Sequence, residues 1–297
     1  MGNVYIADTF ASVIRKISLD GVITVFAGNR SPSPNAGETL ATDAKLNRPH
    51  GVAIDRAGNL FIADTHNHII RKVDGFSGIT TTVAGTKGSQ GYSGDGELAT
   101  SAKLNHPRAI AVDGAGNLYI ADTQNNAIRK VEAGTGHIIT VAGTGIVGHS
   151  GNGKAATRST LNKPYGVTVD AVGNILIADT MNSAIRKVNV ADGTITTIAG
   201  TAEDGGFGGD GSAAANAQLF YPTAAKLDSQ GNIYIADGGN NRIRKIDAST
   251  GAITTIVRTG INGYFGDKGL ASQAQLYQPF DIAIDADDNL YIADSGN

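Results

Sequence analysis

The sequence predicts an all-β fold, a β-propeller of four-stranded antiparallel blades, on three observations. The tripeptide Ile-Ala-Asp ends at Asp8, Asp64, Asp122, Asp179, Asp237 and Asp294, a spacing of 56 to 58 residues, and self-similarity at a fixed period marks a repeat architecture. Each unit carries four short runs rich in Val, Ile and Thr, bounded by Gly, Asn and Asp, which is strand-and-turn chemistry. Of 297 residues 40 are glycine and 7 proline, and few stretches are long enough to be helices. A parallel solenoid is the rival architecture, but solenoid coils are usually shorter and need no succession of antiparallel hairpins.

In the second copy the four runs span 51–55, 59–64, 69–73 and 79–84, with Gly58-Asn59 closing the first hairpin and Gly78 serving the last. Four strands in a meander make one blade. The first strand of each blade lies nearest the axis, where space is short. Its inward positions are accordingly small: Gly51, Ala109, Gly166 and Ala224, then Ala53, Ala111, Thr168 and Ala283. Lys226 and Asp281 break this rule, and the expectation is that they pair as a salt bridge across adjacent innermost strands.

The strings 58–67 (Gly-Asn-Leu-Phe-Ile-Ala-Asp-Thr-His-Asn), 70–73 (Ile-Arg-Lys-Val) and 82–86 (Thr-Val-Ala-Gly-Thr) resemble the NHL repeat. The insert Gly-Tyr-Ser-Gly-Asp-Gly at 91–96 is similar to the long-repeat variety found in many bacterial surface proteins and in teneurins. The resemblance covers the whole chain and implies a propeller, with a secreted or cell-surface setting. It does not choose a function, because NHL-like propellers include protein- and RNA-binding modules, sensor domains and an amidating lyase.

A single propeller domain is expected over 1–297, comprising five complete repeat units and a partial one. The chain starts in a second-strand segment (2–8) and ends in another (289–294), giving 21 expected strands. Either the run 280–285 completes the first blade, or the chain is a piece of a six-bladed ring. The second is the expectation, and unpaired terminal strands are then edges open to self-association.

Composition narrows the function. A formal charge of −3 gives no broad basic field of the kind that drives nucleic-acid binding, so no nucleic-acid partner is expected. The absence of cysteine removes disulfides, thiolate nucleophiles and thiolate ligands. No apolar run is long enough to span a bilayer, so no membrane insertion is expected.

Residues that recur in every blade are assigned to the scaffold. Asp64 with Arg71, Asp122 with Arg129 and their equivalents read as structural ion pairs, since catalysis needs one distinctive site and not five copies. In the Arg-Lys dipeptides the pleat splits the two charges between opposite faces, which argues against a phosphate-binding stripe. The inserts at 91–96, 148–153, 206–211 and 263–267 carry one Asp at most, too few for calcium, and read as glycine-turned packed loops. Each is followed by an alanine-containing stretch, such as 98–104, that reads as one short helical turn.

Function is sought where the copies differ, on the face that carries the inserts and the loops between second and third strands. The residue after the loop proline is His50, Arg108, Tyr165, Thr223 or Phe280, and the residue two after the Asp is Phe10, His66, Gln124, Met181 or Gly239. The candidate ligand-binding set is His50, His66, Arg108, Gln124, Tyr165, Lys226 and Asp281 at the channel mouth. The expected function is non-enzymatic recognition of a protein, peptide or glycan, with no cofactor and no metal. The alternative is a metal-dependent hydrolase or lyase at the same mouth, suggested by His66 and His68 flanking Asn67, with His50.

Overall fold

The computed structural model describes residues 2–31, 38–201, 205–258 and 262–297. The fold is all-β, built of propeller-type antiparallel blades joined through short 3-10 turns. The chain divides into two compact units, 1–145 and 146–297.

The N-terminal unit holds three sheets. The first has three strands, Val4–Asp8, Val13–Ile17 and Ile23–Ala27. The second is a full blade of Val52–Ile54, Leu60–Asp64, Ile69–Val73 and Ile79–Ala84, widened by the short strand Thr39–Leu40. The third comprises Pro107–Val112, Leu118–Asp122, Ala127–Val131 and Ile138–Ala142. In the C-terminal unit, Gly166–Val169, Ile175–Asp179, Ala184–Val188 and Thr194–Ala199 form a blade edged by Lys154–Ala155. A blade of Pro222–Leu227, Ile233–Asp237, Arg242–Ile246 and Ile253–Arg258 follows, then the pair Pro279–Ile284 and Leu290–Asp294. All 21 expected strands are present, and the two additional short ones edge onto outer strands. Pro279–Ile284 pairs with Leu290–Asp294 in its own sheet.

The first hairpin of each blade is tied by one aspartate. Asp55 Oδ1 accepts the backbone N–H groups of Ala57 and Asn59, each at 2.9 Å, while Oδ2 accepts the Asn59 amide at 2.7 Å. The same pattern recurs at Asp113, Asp170, Asp228 and Asp285. Such side-chain to backbone bonds make the turn local and independent of the rest of the fold. Gly58 sits at φ +83°, in the left-handed region that this turn requires.

The core is a series of layers between blades rather than one central mass. Leu60, Ile62 and Val73 of the second sheet pack with Ile14 and Ala27 of the first, and with Ala41, Ala44 and Leu46 from the connection. Leu176 and Ile185 meet Leu219, Ile235 and Ile253 in the C-terminal unit. Full burial of an Ile or Leu side chain contributes about 1.5–3 kcal/mol.

Neighbouring innermost strands approach too closely for a side chain at the glycine positions Gly51 and Gly166. A Cβ added to Gly166 would lie 2.6 Å from the Thr223 carbonyl and 3.1 Å from Ala224 Cα. The expected helical turns are 3-10 helices, at Ala41–Asp43, Ala99–Ser101, Ala156–Arg158, Ala214–Asn216 and Ala271–Gln273. They stitch blades together. Ala99 accepts from Gly85 N at the end of one outer strand while donating to the Gly136 carbonyl beside the next.

Candidate functional site

The scaffold of the candidate face is a buried carboxylate at the end of four second strands, Asp64, Asp122, Asp179 and Asp237. Asp122 Oδ1 accepts Asn105 N at 2.7 Å, and Oδ2 accepts the Asn125 amide at 2.8 Å and Arg129 Nη1 at 3.4 Å. Asp64, Asp179 and Asp237 repeat this with Arg71, Arg186 and Arg244, and all four arginines are almost fully buried. Burial pushes the carboxyls up, Asp122 to about 7 and Asp179 and Asp237 to about 6, against the donors that pull them down. A bulge lies beside each arginine, between Ile128/Arg129 and its equivalents, with the extra residue on the fourth strand. The Asp-Arg repeats are therefore structural. Each adjacent lysine lies half-buried on the other face, as Lys130 does 5.8 Å over the Tyr119 ring.

The inserts complete this network. Arg129 Nη2 donates to Asp95 Oδ1 at 2.6 Å and to the Ser93 carbonyl at 3.2 Å, and Arg244 Nη2 likewise meets Asp210 and Gly208. The insert Asp is thus the partner of the next blade's arginine. Gly94, at φ +92°, lies where a Cβ would come within 2.7 Å of Ala102, which accounts for the glycine and the alanine together.

On this frame, the N-terminal unit gathers His50, His66 and Arg108 with His68, which the sequence suggested only as a metal ligand, and with two residues that sequence reasoning left out, Arg48 and His106. The His106 ring stands edge-to-face against His66 and His68, with centroids 5.0 and 4.5 Å away. His68 Nδ1 accepts the His106 backbone N–H at 3.1 Å, and His50 Nδ1 lies 3.0 Å from the Arg48 carbonyl. Burial, then the Arg108 charge, pulls His50 down to about 4, and burial with neighbouring cations lowers His66, His68 and His106. Gln124 is exposed at the position equivalent to His66. Among the described residues no group of three or more His, Asp or Glu side chains is placed to hold a metal ion.

The signal for the missed residues was in the sequence. The residue before the loop proline also varies, being Arg48, His106, Lys163, Tyr221 or Gln278, and every copy adopts a left-handed φ between +46° and +51°. A left-handed backbone before proline is disfavoured, so its recurrence belongs to the frame while the side chain is left to vary.

The C-terminal unit presents aromatic side chains at the same end of its blades. Tyr165 and Phe280 stand with centroids 6.0 Å apart, and Phe220 stacks on Tyr221 at 4.3 Å. Lys226 and Asp281 do not join this set. Lys226 opposes Tyr234 near the far end of its strand and lines a cavity of about 460 Å³ between first-hairpin turns, with Asp170 and Asp228. Asp281 opposes Ala293 nearer the other end, and its carboxylate accepts its neighbour Ile282 N at 2.8 Å. Among the described residues no ion pair joins them. They occupy different steps of the ladder, two residues apart, or about 7 Å along a strand.

The model of the teneurin NHL domain matches residues 86–147 and 202–264, and that of the NHL repeat matches 46–72. The chain belongs to the NHL-repeat family. This NHL-repeat chain is 30% identical over 265 residues to the protein SUPPRESSOR OF QUENCHING 1, chloroplastic, of Arabidopsis thaliana, a match covering 86% of this chain and 25% of that protein. It is 31% identical to human teneurin-1 over 69% of its own length and 8% of that protein. With NHL repeat-containing protein 2 of Bos taurus the identity is 27%, over 98% of this chain and 43% of the relative. The chain therefore spans less than half of each. Among solved structures, a virginiamycin B lyase from Staphylococcus aureus superposes with TM-score 0.57 at 16% identity, over 98% of this chain and 73% of that one. A gluconolactonase from Xanthomonas campestris gives 0.63 at 13%, over 98% and 79%. At such identities the likeness is one of fold.

Proposed function

We propose that this NHL-repeat chain is a recognition module that binds a protein, peptide or glycan on the face carrying the pre-proline, post-proline and second-loop positions. One observation carries the reading. In each unit the side chains that differ between copies cluster at one end of the blades, on a frame whose own carboxylates and arginines are already engaged with one another. Variation on a fixed frame is how a repeat scaffold presents a binding surface. The likeness of the inserts to those of bacterial surface proteins and teneurins supports an extracellular setting for it. Strands Val4–Asp8 and Leu290–Asp294 each pair along one edge, which supports self-association at sufficient concentration. Concentration-dependent sedimentation tests that part.

The second reading, a hydrolase or lyase at the same end, draws on the lyase and gluconolactonase folds and on the four neighbouring imidazoles. Turnover tested with divalent metals added decides it. The test of the first compares Arg108→Ala and Tyr165→Ala with Arg56→Ala and Val172→Ala, which lie in first-hairpin turns at the other end. Affinity for ligands selected from a peptide and glycan panel should fall in the first pair, with thermal stability little changed. Loss confined to the second pair would move the site to the other face.

A further inference from the structure

The cavity beside Lys226 has a local cause. It lies within the C-terminal unit, between the first-hairpin turns that follow Gly166–Val169 and Pro222–Leu227, and its volume of about 460 Å³ is within the range of small-molecule sites. At two other turns the residue after the turn aspartate bridges to the next blade. Arg56 reaches the following turn, where a Cβ on Gly114 would lie 3.4 Å from its Nη2. Ser229 donates from N and Oγ to Asp288 Oδ1 and Oδ2 at 2.9 and 2.6 Å. The equivalent residue at the cavity is Ala171, whose methyl group is too short to cross.

Two residues that break the repeat line this gap. The inward position on the first strand is Ala53, Ala111 or Ala283 in three copies, but Thr168 and Lys226 in the two blades that flank the cavity. Their strands run close together: a Cβ added to Gly166 would lie 3.1 Å from Ala224 Cα, and Thr168 and Lys226 each follow two residues later. Both are half-buried. Among the described residues, neither the Lys226 ammonium nor the Thr168 hydroxyl has a hydrogen-bond or ion-pair partner. The two carboxylates in the lining, by contrast, are engaged within their own turns. Asp170 accepts Val172 N, Asn174 N and the Asn174 amide at 2.7–3.1 Å. Asp228 accepts Gln230 N, Asn232 N, the Asn232 amide and the Tyr234 hydroxyl at 2.7–3.2 Å. Lys226 thus brings three N–H donors to an aliphatic wall of Val169, Leu227 and Ile284, and a half-buried ammonium without an acceptor gains when an anion supplies one.

We infer that this cavity binds a small aliphatic monocarboxylate, its oxygens accepting from Lys226 Nζ and Thr168 Oγ1 and its hydrocarbon tail lying against Val169, Leu227 and Ile284. The site is separate from the recognition face and does not rest on it, since Tyr165 precedes the first strand of its blade and Asp170 follows it. Hydrogen bonds from an ammonium to a carboxylate are the stronger, charge-assisted kind. The nearby Asp170 and Asp228 oppose a second negative charge, which limits the ligand to one carboxylate.

The test titrates the full chain with 4-methylpentanoate, 4-methylpentan-1-ol and 4-methylpentan-1-amine, by ligand-observed NMR at pH 7.5 in low salt. The carboxylate should bind about tenfold more tightly than the alcohol or the amine. Lys226→Met keeps the length of the side chain and removes its charge, and should lower carboxylate affinity about tenfold. Lys226→Ala, which installs the residue of three other copies, should do the same with a melting curve that matches the parent. Ala171→Leu occupies the gap as Arg56 does in its own blade, and should also abolish binding. Equal affinity for alcohol and carboxylate overturns the inference in favour of a purely apolar pocket, and preference for the amine overturns it in favour of the lining carboxylates. Carboxylate affinity unchanged in Lys226→Met or in Ala171→Leu places the ligand elsewhere and overturns it too, as does the absence of binding by all three probes.

Discussion

Arg129 reaches out of its own blade to Asp95, with Nη2 and Oδ1 2.6 Å apart, although 34 residues separate them. The same guanidinium holds Asp122 at 3.4 Å and lies 5.1 Å from the Tyr92 ring centre. One side chain thus fastens the second strand, the third strand and the preceding insert.

Its removal should cost more than removal of the insert carboxylate. Arg129→Ala leaves Asp122 buried without its cation, and breaking a buried pair in that way costs about 3–5 kcal/mol. Asp95 is half exposed, so Asp95→Ala should cost about 1 kcal/mol or less. Urea unfolding of both variants checks the order, and equal losses would mean that the insert contact carries the pair.

The blade around Arg186 shows the complementary case. Asn152 stands where Asp95 and Asp210 stand in other inserts, and Arg186 Nη2 donates to the Ser150 carbonyl at 3.2 Å. Asn152→Asp supplies a carboxylate to that guanidinium and should stabilise by about 0.5–1 kcal/mol. A lowered melting temperature would show that the existing bond from Thr197 N to Asn152 Oδ1, 2.6 Å, matters more.

Gly166→Ala puts a methyl group against the Thr223 carbonyl and should destabilise by about 1–3 kcal/mol through overpacking. Gly134 has nothing within 4 Å of its added Cβ, so Gly134→Ala serves as the control and should change stability little. Equal melting temperatures for both would refute close contact between the inner strands.

Acid should unfold the protein partly through His50. Its folded value, about 4, lies below the ordinary 6.5, so the unfolded chain binds the proton more readily. The stability His50 contributes is present above pH 6.5 and is lost as pH falls towards 4. Asp122, raised to about 7, acts in the opposite sense, being most favourable below its ordinary range and losing that advantage as pH rises to 7. The informative quantity is therefore the difference between His50→Gln and the parent. It should favour the variant by on the order of 1–3 kcal/mol more at pH 4.5 than at pH 7.5. A constant difference across that range would contradict the shift.

The sequence by itself determined the blade: the period, the four strands, the Gly-Asn hairpin turn, the alanine turns, the small inner positions and the structural standing of the Asp-Arg pairs. These are local or repeated, so spacing and residue type are enough to fix them. It also located the variable positions at His50, His66 and Arg108. Tertiary structure decided the rest, because each remaining item depends on how blades stack and how far along a strand a residue sits. His106 meets His66 and His68 across a blade boundary, a contact between residues 38 and 40 apart in sequence that no period announces. Lys226 and Asp281 look like partners in the alignment, yet they sit on different rungs of neighbouring ladders. Insert aspartates that looked idle turn out to serve the arginine of the following blade, since a side chain's partner is set by three-dimensional proximity and the repeat fixes only its address.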